Sequence, residues 1–167
     1  MIGVGQQFPD IRLTGVDKDN IIHEIDYLEP SWTVIYFYPK DFTFICPTEI
    51  AAMDILLDEA DVIGVSGDNE HCKLAWKTAN GMIREIKHTL AADCGLYLAQ
   101  ELGIVDEYAG VALRATYIID PDNTIQHVSV NALDTGRNAD EILRLVQALK
   151  AGGLTGCEWQ PGDKFVA

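Results

Sequence analysis

The run Trp32-Thr33-Val34-Ile35-Tyr36-Phe37-Tyr38 constrains the fold of this chain more than any other segment. It is β-branched and aromatic throughout, with no polar residue recurring at either the helical or the strand period. A segment with no wet face has to be covered on both sides, which is the pattern of a central strand in a layered α/β structure. Pro39 ends the run, because proline brings no N–H to a strand ladder. Around this strand the rest of the chain alternates between strand and helix patterns.

Pro47 suits the first position of a helix, along which Ile50, Met53, Leu57 and Ala60 recur on one face. Residues 61–66 form a second short apolar run, closed by Gly67-Asp68-Asn69. A second helix follows, with Cys72, Ala75, Trp76 and Ala79 as its expected apolar stripe. A third strand is expected near 88–92, and Asp93 then caps a helix that stops at Gly103. Residues 114–120 and 124–130 read as a hairpin around Pro121-Asp122-Asn123. The last helix starts at Asn138, with Glu141 in capping-box spacing and Ile142, Leu145, Val146 and Leu149 as its core stripe; Gly152-Gly153 ends it. The order predicts a mixed central sheet with helices on both faces. Residues 1–150 read as one domain and residues 151–167 as a C-terminal tail carrying Cys157.

With 167 residues, nearly half of them hydrophobic, the chain can bury one sizeable core. Its net charge of −14, with no basic run, argues against nucleic acid and anionic membranes as partners. The segment Met1–Phe8 has neither the basic nor the apolar stretch of a secretory leader, and no apolar run approaches a membrane-spanning length. A soluble, cytoplasmic protein is the expectation. The four cysteines at 46, 72, 94 and 157 show no Cys-x-x-Cys pair and no zinc spacing. In a reducing compartment such thiols are catalytic or plainly buried rather than structural disulfides. The histidines at 23, 71, 88 and 127 show no paired spacing for a metal, and no phosphate loop or dinucleotide fingerprint is present. No cofactor and no metal are expected, so electrons have to arrive through cysteine.

Cys46 stands where a strand meets a helix. Unpaired N–H groups and the positive end of the helix favour an anion there, and a thiolate is such an anion. Position alone leaves two readings open, a reactive thiolate and an inert cysteine that starts a helix. The preceding residues decide between them. Pro39, Thr43 and Cys46 form Pro-x-x-x-Thr-x-x-Cys within Tyr38-Pro-Lys-Asp-Phe-Thr-Phe-Ile-Cys-Pro-Thr-Glu49. This stretch closely resembles the active-site signature of the peroxiredoxins, in the typical two-cysteine branch that includes the alkyl hydroperoxide reductase C subunits. The segments 70–76, 113–121, 136–138 and 157–163 fit the same family in order, so the resemblance covers essentially the whole chain.

The resemblance implies a thioredoxin-like fold and a division of labour. Cys46 is the peroxidatic nucleophile, attacking one peroxide oxygen as the O–O bond breaks. Arg114 lies beside it, stabilises the charge developing on the departing oxygen and keeps the thiolate ionised. Thr43 donates to the peroxide, Pro39 shields the thiolate from water, and Glu49 orients Arg114 through a carboxylate–guanidinium pair. Cys157 of a partner subunit resolves the sulfenic acid to a disulfide, which implies a homodimer, with a ring of dimers as a further expectation. An external dithiol then reduces the disulfide; thioredoxin, a flavoprotein disulfide reductase and an adaptor dithiol protein all remain open. Here Gly156 precedes Cys157 and only Glu158 separates it from Trp159, where the common form has Val-Cys-Pro-Ala before the tryptophan. The chain also carries Ala79-Asn80-Gly81-Met82 where some members insert Gly-Gly-Leu-Gly, and it shows no Tyr-Phe after Cys157. Fast resolution and difficult overoxidation are therefore expected.

Read singly, Thr43, Pro39, Glu49 and Arg114 each have a structural alternative as turn, strand end, helix-dipole partner and strand-start charge. A thioredoxin-type oxidoreductase lacks its second cysteine here, and a cysteine hydrolase lacks a histidine near Cys46. A binding or holdase protein without turnover leaves Pro39, Thr43 and Arg114 unexplained. Cys72 is expected to be a buried structural thiol. Cys94 is expected to be structural too, with some thiolate character available from its place after Asp93.

Overall fold

The structure, a computed structural model, describes residues 1–10, 12–26 and 30–167. The elements in chain order are β1 (Leu13–Val16), β2 (Ile22–Ile25), β3 (Thr33–Phe37), α1 (Cys46–Met53), β4 (Asp61–Ser66), α2 (Glu70–Ala79), β5 (Thr89–Ala92), α3 (Tyr97–Leu102), β6 (Val105–Asp106), β7 (Val111–Ala112), β8 (Arg114–Ile119), β9 (Ile125–Asn131) and α4 (Ala139–Ala151). A short 3-10 turn, Asp54–Leu56, prolongs α1. Seven strands form one sheet in the order β2-β1-β5-β4-β3-β8-β9, and β6 and β7 form a separate ribbon.

The sheet is mixed, as the layer pattern implies. β3, β4 and β5 run parallel, while β8 pairs antiparallel with both β3 and β9. Every residue of β3 is buried, and its pleat divides the core in two. Ile35 and Phe37 face a cluster with Leu98, Ala99 and Leu102 of α3 and Tyr117 and Ile119 of β8. Val34, Tyr36 and Tyr38 face the other side, against Ile50 and Met53 of α1, Trp76 of α2 and Ile142 and Val146 of α4. Helices thus cover both faces, which is why a strand so apolar is tolerated.

Several sequence expectations need correction. The stripe expected on α2 holds only at Trp76. Ala75 and Ala79 are exposed and Cys72 is half-buried, whereas Lys73, Trp76 and Lys77 are buried. Burial of Lys77 is made possible by its ammonium reaching the carbonyl of Asp17 at 2.8 Å. Pro47 is the second helical residue, not the first, because Ile45 already has helical angles and accepts from the N–H groups of Thr48 and Glu49. Asn138 caps α4 by accepting from Glu141 N–H, but Glu141 turns its carboxylate to Arg144, so the capping box is half made. Asp93 accepts from the N–H groups of Leu98 and Ala99 rather than from the usual nearer positions, since Leu96 takes up left-handed angles between them. The hairpin β1–β2 and the ribbon β6–β7 carried too little periodicity to be expected from sequence.

In the middle of β4, Gly64 makes room for the Tyr36 ring: a Cβ there would lie 2.5 Å from the phenol. Tyr36 Oη meets His88 Nε2 at 2.7 Å, and His88 Nδ1 meets Asp54 at 2.6 Å. Burial alone would raise the Asp54 carboxyl, but the hydrogen bonds from His88 and the Lys87 N–H outweigh it and hold it below its ordinary range. A lowered folded-state value means stability that is present above the unfolded value, about 3.9, and lost as pH falls through the folded one. Asp54→Asn is therefore expected to cost about 1–2 kcal/mol at pH 7, with the gap to wild type narrowing by pH 3. Urea midpoints at the two pH values check this, and an unchanged gap would remove Asp54 from the acid response.

Candidate active site

The site is built at the carboxyl ends of the parallel strands. β3 delivers Pro39 and the loop that ends at Cys46; Cys46 is the first residue of α1 and its side chain is buried, with 1% exposure. Glu49 lies three residues on, so the helix places its carboxylate on the neighbouring part of the same first turn. Arg114 opens β8, the antiparallel neighbour of β3, and enters the pocket from the side.

Arg114 Nη1 lies 3.4 Å from Cys46 Sγ and 2.7 Å from Glu49 Oε2. Its Nε donates to the Leu133 carbonyl at 2.7 Å, which fixes the plane of the guanidinium. One nitrogen thus serves both the sulfur and the carboxylate. Glu49 is shared: its Oε1 accepts from Arg137 Nε at 3.0 Å and from the Arg137 backbone N–H at 3.1 Å. Arg137 also donates to the carbonyls of Phe37 and Ala115 and lies over the Tyr36 ring at 4.9 Å. The three charged side chains have 5% exposure or less, so their mutual attraction is poorly screened.

The remaining expected residues fall as follows. Thr43 lies in the loop before α1, and its hydroxyl donates to the Lys40 carbonyl at 2.8 Å, so against the expectation that it donates to a peroxide it offers lone pairs toward a ligand. Pro39 is half-buried and lines a cavity of about 320 Å³ with Lys40, Gly67, Leu96 and Val111. All four thiols are free. Cys46 is buried and Cys157 is exposed, at the corner of a turn closed by Trp159 N–H on the Gly156 carbonyl with Glu158 at φ +58°. Trp159 is buried and stacks on Phe165, and its carbonyl accepts from Arg144 of α4. The tail is therefore anchored just beyond Cys157.

The residues 4–128 match the AhpC/TSA family model. The chain belongs to the AhpC/TSA family of peroxiredoxins. It is 39% identical to an alkyl hydroperoxide reductase C of Mycolicibacterium smegmatis, covering 99% of this chain and 94% of that one. It is 40% identical to a chloroplastic 2-cysteine peroxiredoxin of Chattonella marina, covering 98% and 91%. Among solved structures, the reduced 2-Cys peroxiredoxin of Plasmodium vivax superposes with a TM-score of 0.91 at 35% identity, covering 98% of this chain and 92% of that one. AhpC of Enterococcus faecalis gives 0.87 at 30% identity over the full length of both. The fold is therefore the thioredoxin-like fold of the peroxiredoxins, as the resemblance implied.

For a peroxiredoxin, the residue that sequence reasoning left without a role is Arg137. Its segment fits the family pattern, but its partner Glu49 is 88 positions away, and only the folded chain brings them together. Cys94 departs from expectation. The residue is exposed, but partial desolvation of its sulfur, together with Glu70 and Asp93, pushes the thiol up, so the place after Asp93 confers no thiolate character. The Cys72 thiol is likewise raised, by burial and by Asp41 and Asp68. Glu49→Gln leaves two buried guanidiniums sharing no anion and is expected to destabilise the reduced protein by about 3 kcal/mol. Urea unfolding measures it; a loss below about 0.5 kcal/mol would mean that the shared carboxylate holds nothing together.

Proposed function

We propose that this peroxiredoxin is a thiol-dependent peroxidase that reduces hydrogen peroxide and organic hydroperoxides to water or alcohols, with Cys46 as nucleophile and Cys157 of a partner subunit as resolving thiol. The observation that carries the proposal is Arg114 Nη1 standing between Cys46 Sγ and Glu49. A cation in hydrogen-bond contact with the sulfur is placed where negative charge has to be received, and a guanidinium fixed on its other side by Leu133 and Glu49 needs little reorganisation when charge moves.

The thiolate attacks the near oxygen of the peroxide, a sulfur–oxygen bond forms as the O–O bond breaks, and the far oxygen leaves with the electron pair. Arg114 stabilises that oxygen until it takes a proton. Nη2 of Arg114 makes no protein hydrogen bond among the described residues, so its two N–H groups face the incoming substrate. Thr43 accepts from the peroxide O–H while its own hydroxyl donates to the Lys40 carbonyl, and Pro39 limits water at the sulfur. The Cys46 sulfenic acid then condenses with the Cys157 thiol, releasing water and forming a disulfide. An external dithiol, from thioredoxin, a flavoprotein disulfide reductase or an adaptor dithiol protein, reduces it.

Residues 1–150 form the peroxidase domain in this reading, and residues 151–167 present the resolving cysteine. A homodimer belongs to this reading, because in the typical two-cysteine branch that the chain resembles the resolving cysteine comes from the partner subunit, and Cys157 is exposed here. β9 is an edge strand and offers backbone groups for pairing with a second copy, and a ring of such dimers is a further step of the same reading. No helix among the described residues is long and apolar enough to cross a membrane. A cytoplasmic location, where thiols stay reduced, completes the proposal.

Reduced protein mixed with slightly less than one equivalent of hydrogen peroxide, quenched by alkylation after seconds and mapped without reduction, is expected to yield a Cys46–Cys157 link between two chains. Cys46→Ser should abolish peroxide consumption. Cys157→Ser should still consume the first equivalent but form no interchain link. A wild-type Cys46 that stays reduced while peroxide persists would overturn the peroxidase reading.

A further inference from the structure

Lys73 is the least expected buried residue in the chain. It lies on α2 with no exposed side-chain surface, and so does its partner Asp41. Asp41 belongs to the loop between β3 and α1, two residues after Pro39, two before Thr43 and five before Cys46. The ammonium uses all its donors in one place. It reaches the Asp41 carboxylate at 3.3 and 3.4 Å, Tyr38 Oη at 3.1 Å and Ser66 Oγ at 2.5 Å. Tyr38 in turn donates to Asp41 at 2.8 Å, and the Asp41 backbone N–H donates to Asp68 at 2.7 Å. Four elements therefore meet on one buried ion pair: the end of β3, the active-site loop, the end of β4 and α2.

Beyond Asp41 the loop lies closer to the surface. Phe42 takes left-handed angles at φ +57°, which an L side chain adopts only under constraint; it is 58% exposed, with its ring 6.0 Å from that of Trp76 on α2, and Phe44 is 95% exposed. Asp41 is thus the buried charged anchor of the loop before Cys46.

We propose that Lys73, through its buried ion pair with Asp41, is a positioning residue that holds the Pro39–Cys46 loop closed and thereby sets how the Cys46 sulfenic acid is partitioned between disulfide and further oxidation. The inference rests on the peroxidase reading above. With the loop closed, the buried sulfenic acid is kept from Cys157 but remains in the pocket where peroxide binds. A second peroxide then transfers one oxygen to sulfur, giving sulfinic acid and water or alcohol. With the loop open, the sulfenic acid meets Cys157 and loses water to form the disulfide. The Lys73–Asp41 pair biases the closed state.

The test is the ratio of sulfinic acid to disulfide at Cys46 after a pulse of graded hydrogen peroxide, read by intact mass in wild type, Lys73→Met and Ser66→Ala. Lys73→Met leaves Asp41 without its counter-ion, and its sulfinic fraction at a given peroxide concentration is expected to fall at least about twofold, the low end for coupled groups. The rate of the first Cys46 oxidation should fall with it, since an open loop also disorders Thr43 and Pro39. Ser66→Ala removes one bond of the ammonium without exposing a charge, so it keeps the test open if Lys73→Met does not fold; it should shift the ratio the same way by a smaller factor. Adding Asp41→Asn to Lys73→Met should move the ratio back toward wild type, because no lone buried charge is left to drive the loop open. A folded Lys73→Met, or failing that a Ser66→Ala, whose ratio matches wild type would overturn the proposal while wild type still forms the disulfide. If wild type itself leaves Cys46 reduced, the peroxidase reading fails instead.

Discussion

The Glu49 carboxylate, shared between Arg114 and Arg137, is the interaction on which the rest of the site depends. Two guanidiniums and one carboxylate leave a net positive charge in a pocket that water scarcely reaches. Arg114 carries that charge to within 3.4 Å of Cys46 Sγ. In the proposed cycle the same cation receives the charge that develops on the leaving oxygen.

The fold earns this arrangement by bringing three distant segments to the end of β3. Glu49 comes with the first turn of α1, Arg114 with the first residue of β8, and Arg137 from the turn before α4. Arg137 is tied to the Phe37 and Ala115 carbonyls, so it joins β3 to β8 at the point where both strands end. Beneath it lies the Tyr36 ring, which Gly64 admits and which His88 and Asp54 hold by its hydroxyl. A substitution at Gly64 would thus act on Arg137 through Tyr36, although it touches no residue of the pocket itself.

The central strand, the β8–β9 hairpin and the Pro39–Cys46 loop were legible because each is written in consecutive residues. Segments whose meaning depends on a far partner were not. Period-based reading places Lys73 and Lys77 toward water and Ala75 and Ala79 inward on α2, and the structure reverses both. Nothing local to α2 says that Asp41 lies 32 positions back, with Ser66 and Tyr38, ready to satisfy an ammonium. Arg137 was overlooked for the same reason. The Asp93 cap was legible as a residue but not in register, because the left-handed Leu96 displaces the helix start by several positions. Cys94 gains no thiolate character from its place after Asp93, because partial desolvation and then the carboxylates around it act against the charged form.

Cys46 must satisfy two opposed demands in the proposed cycle, burial beside Arg114 and escape toward Cys157. The first turn of α1 is built to reconcile them. It has no side-chain cap, and Pro47 contributes no N–H. The N–H groups of Thr48 and Glu49 and the hydroxyl of Thr48 all converge on one acceptor, the Ile45 carbonyl. In the proposed cycle this carbonyl is where the first turn opens to release the sulfur. The Glu49 carboxylate has its own holders in Arg137 and Arg114. The charged group is the fixed receptor of that cycle, and Cys46 is the member that comes and goes. When the sulfur returns as a thiolate it finds the same geometry it left, so the cost of each opening falls on one helical turn and the loop before it, not on the pocket that performs the chemistry.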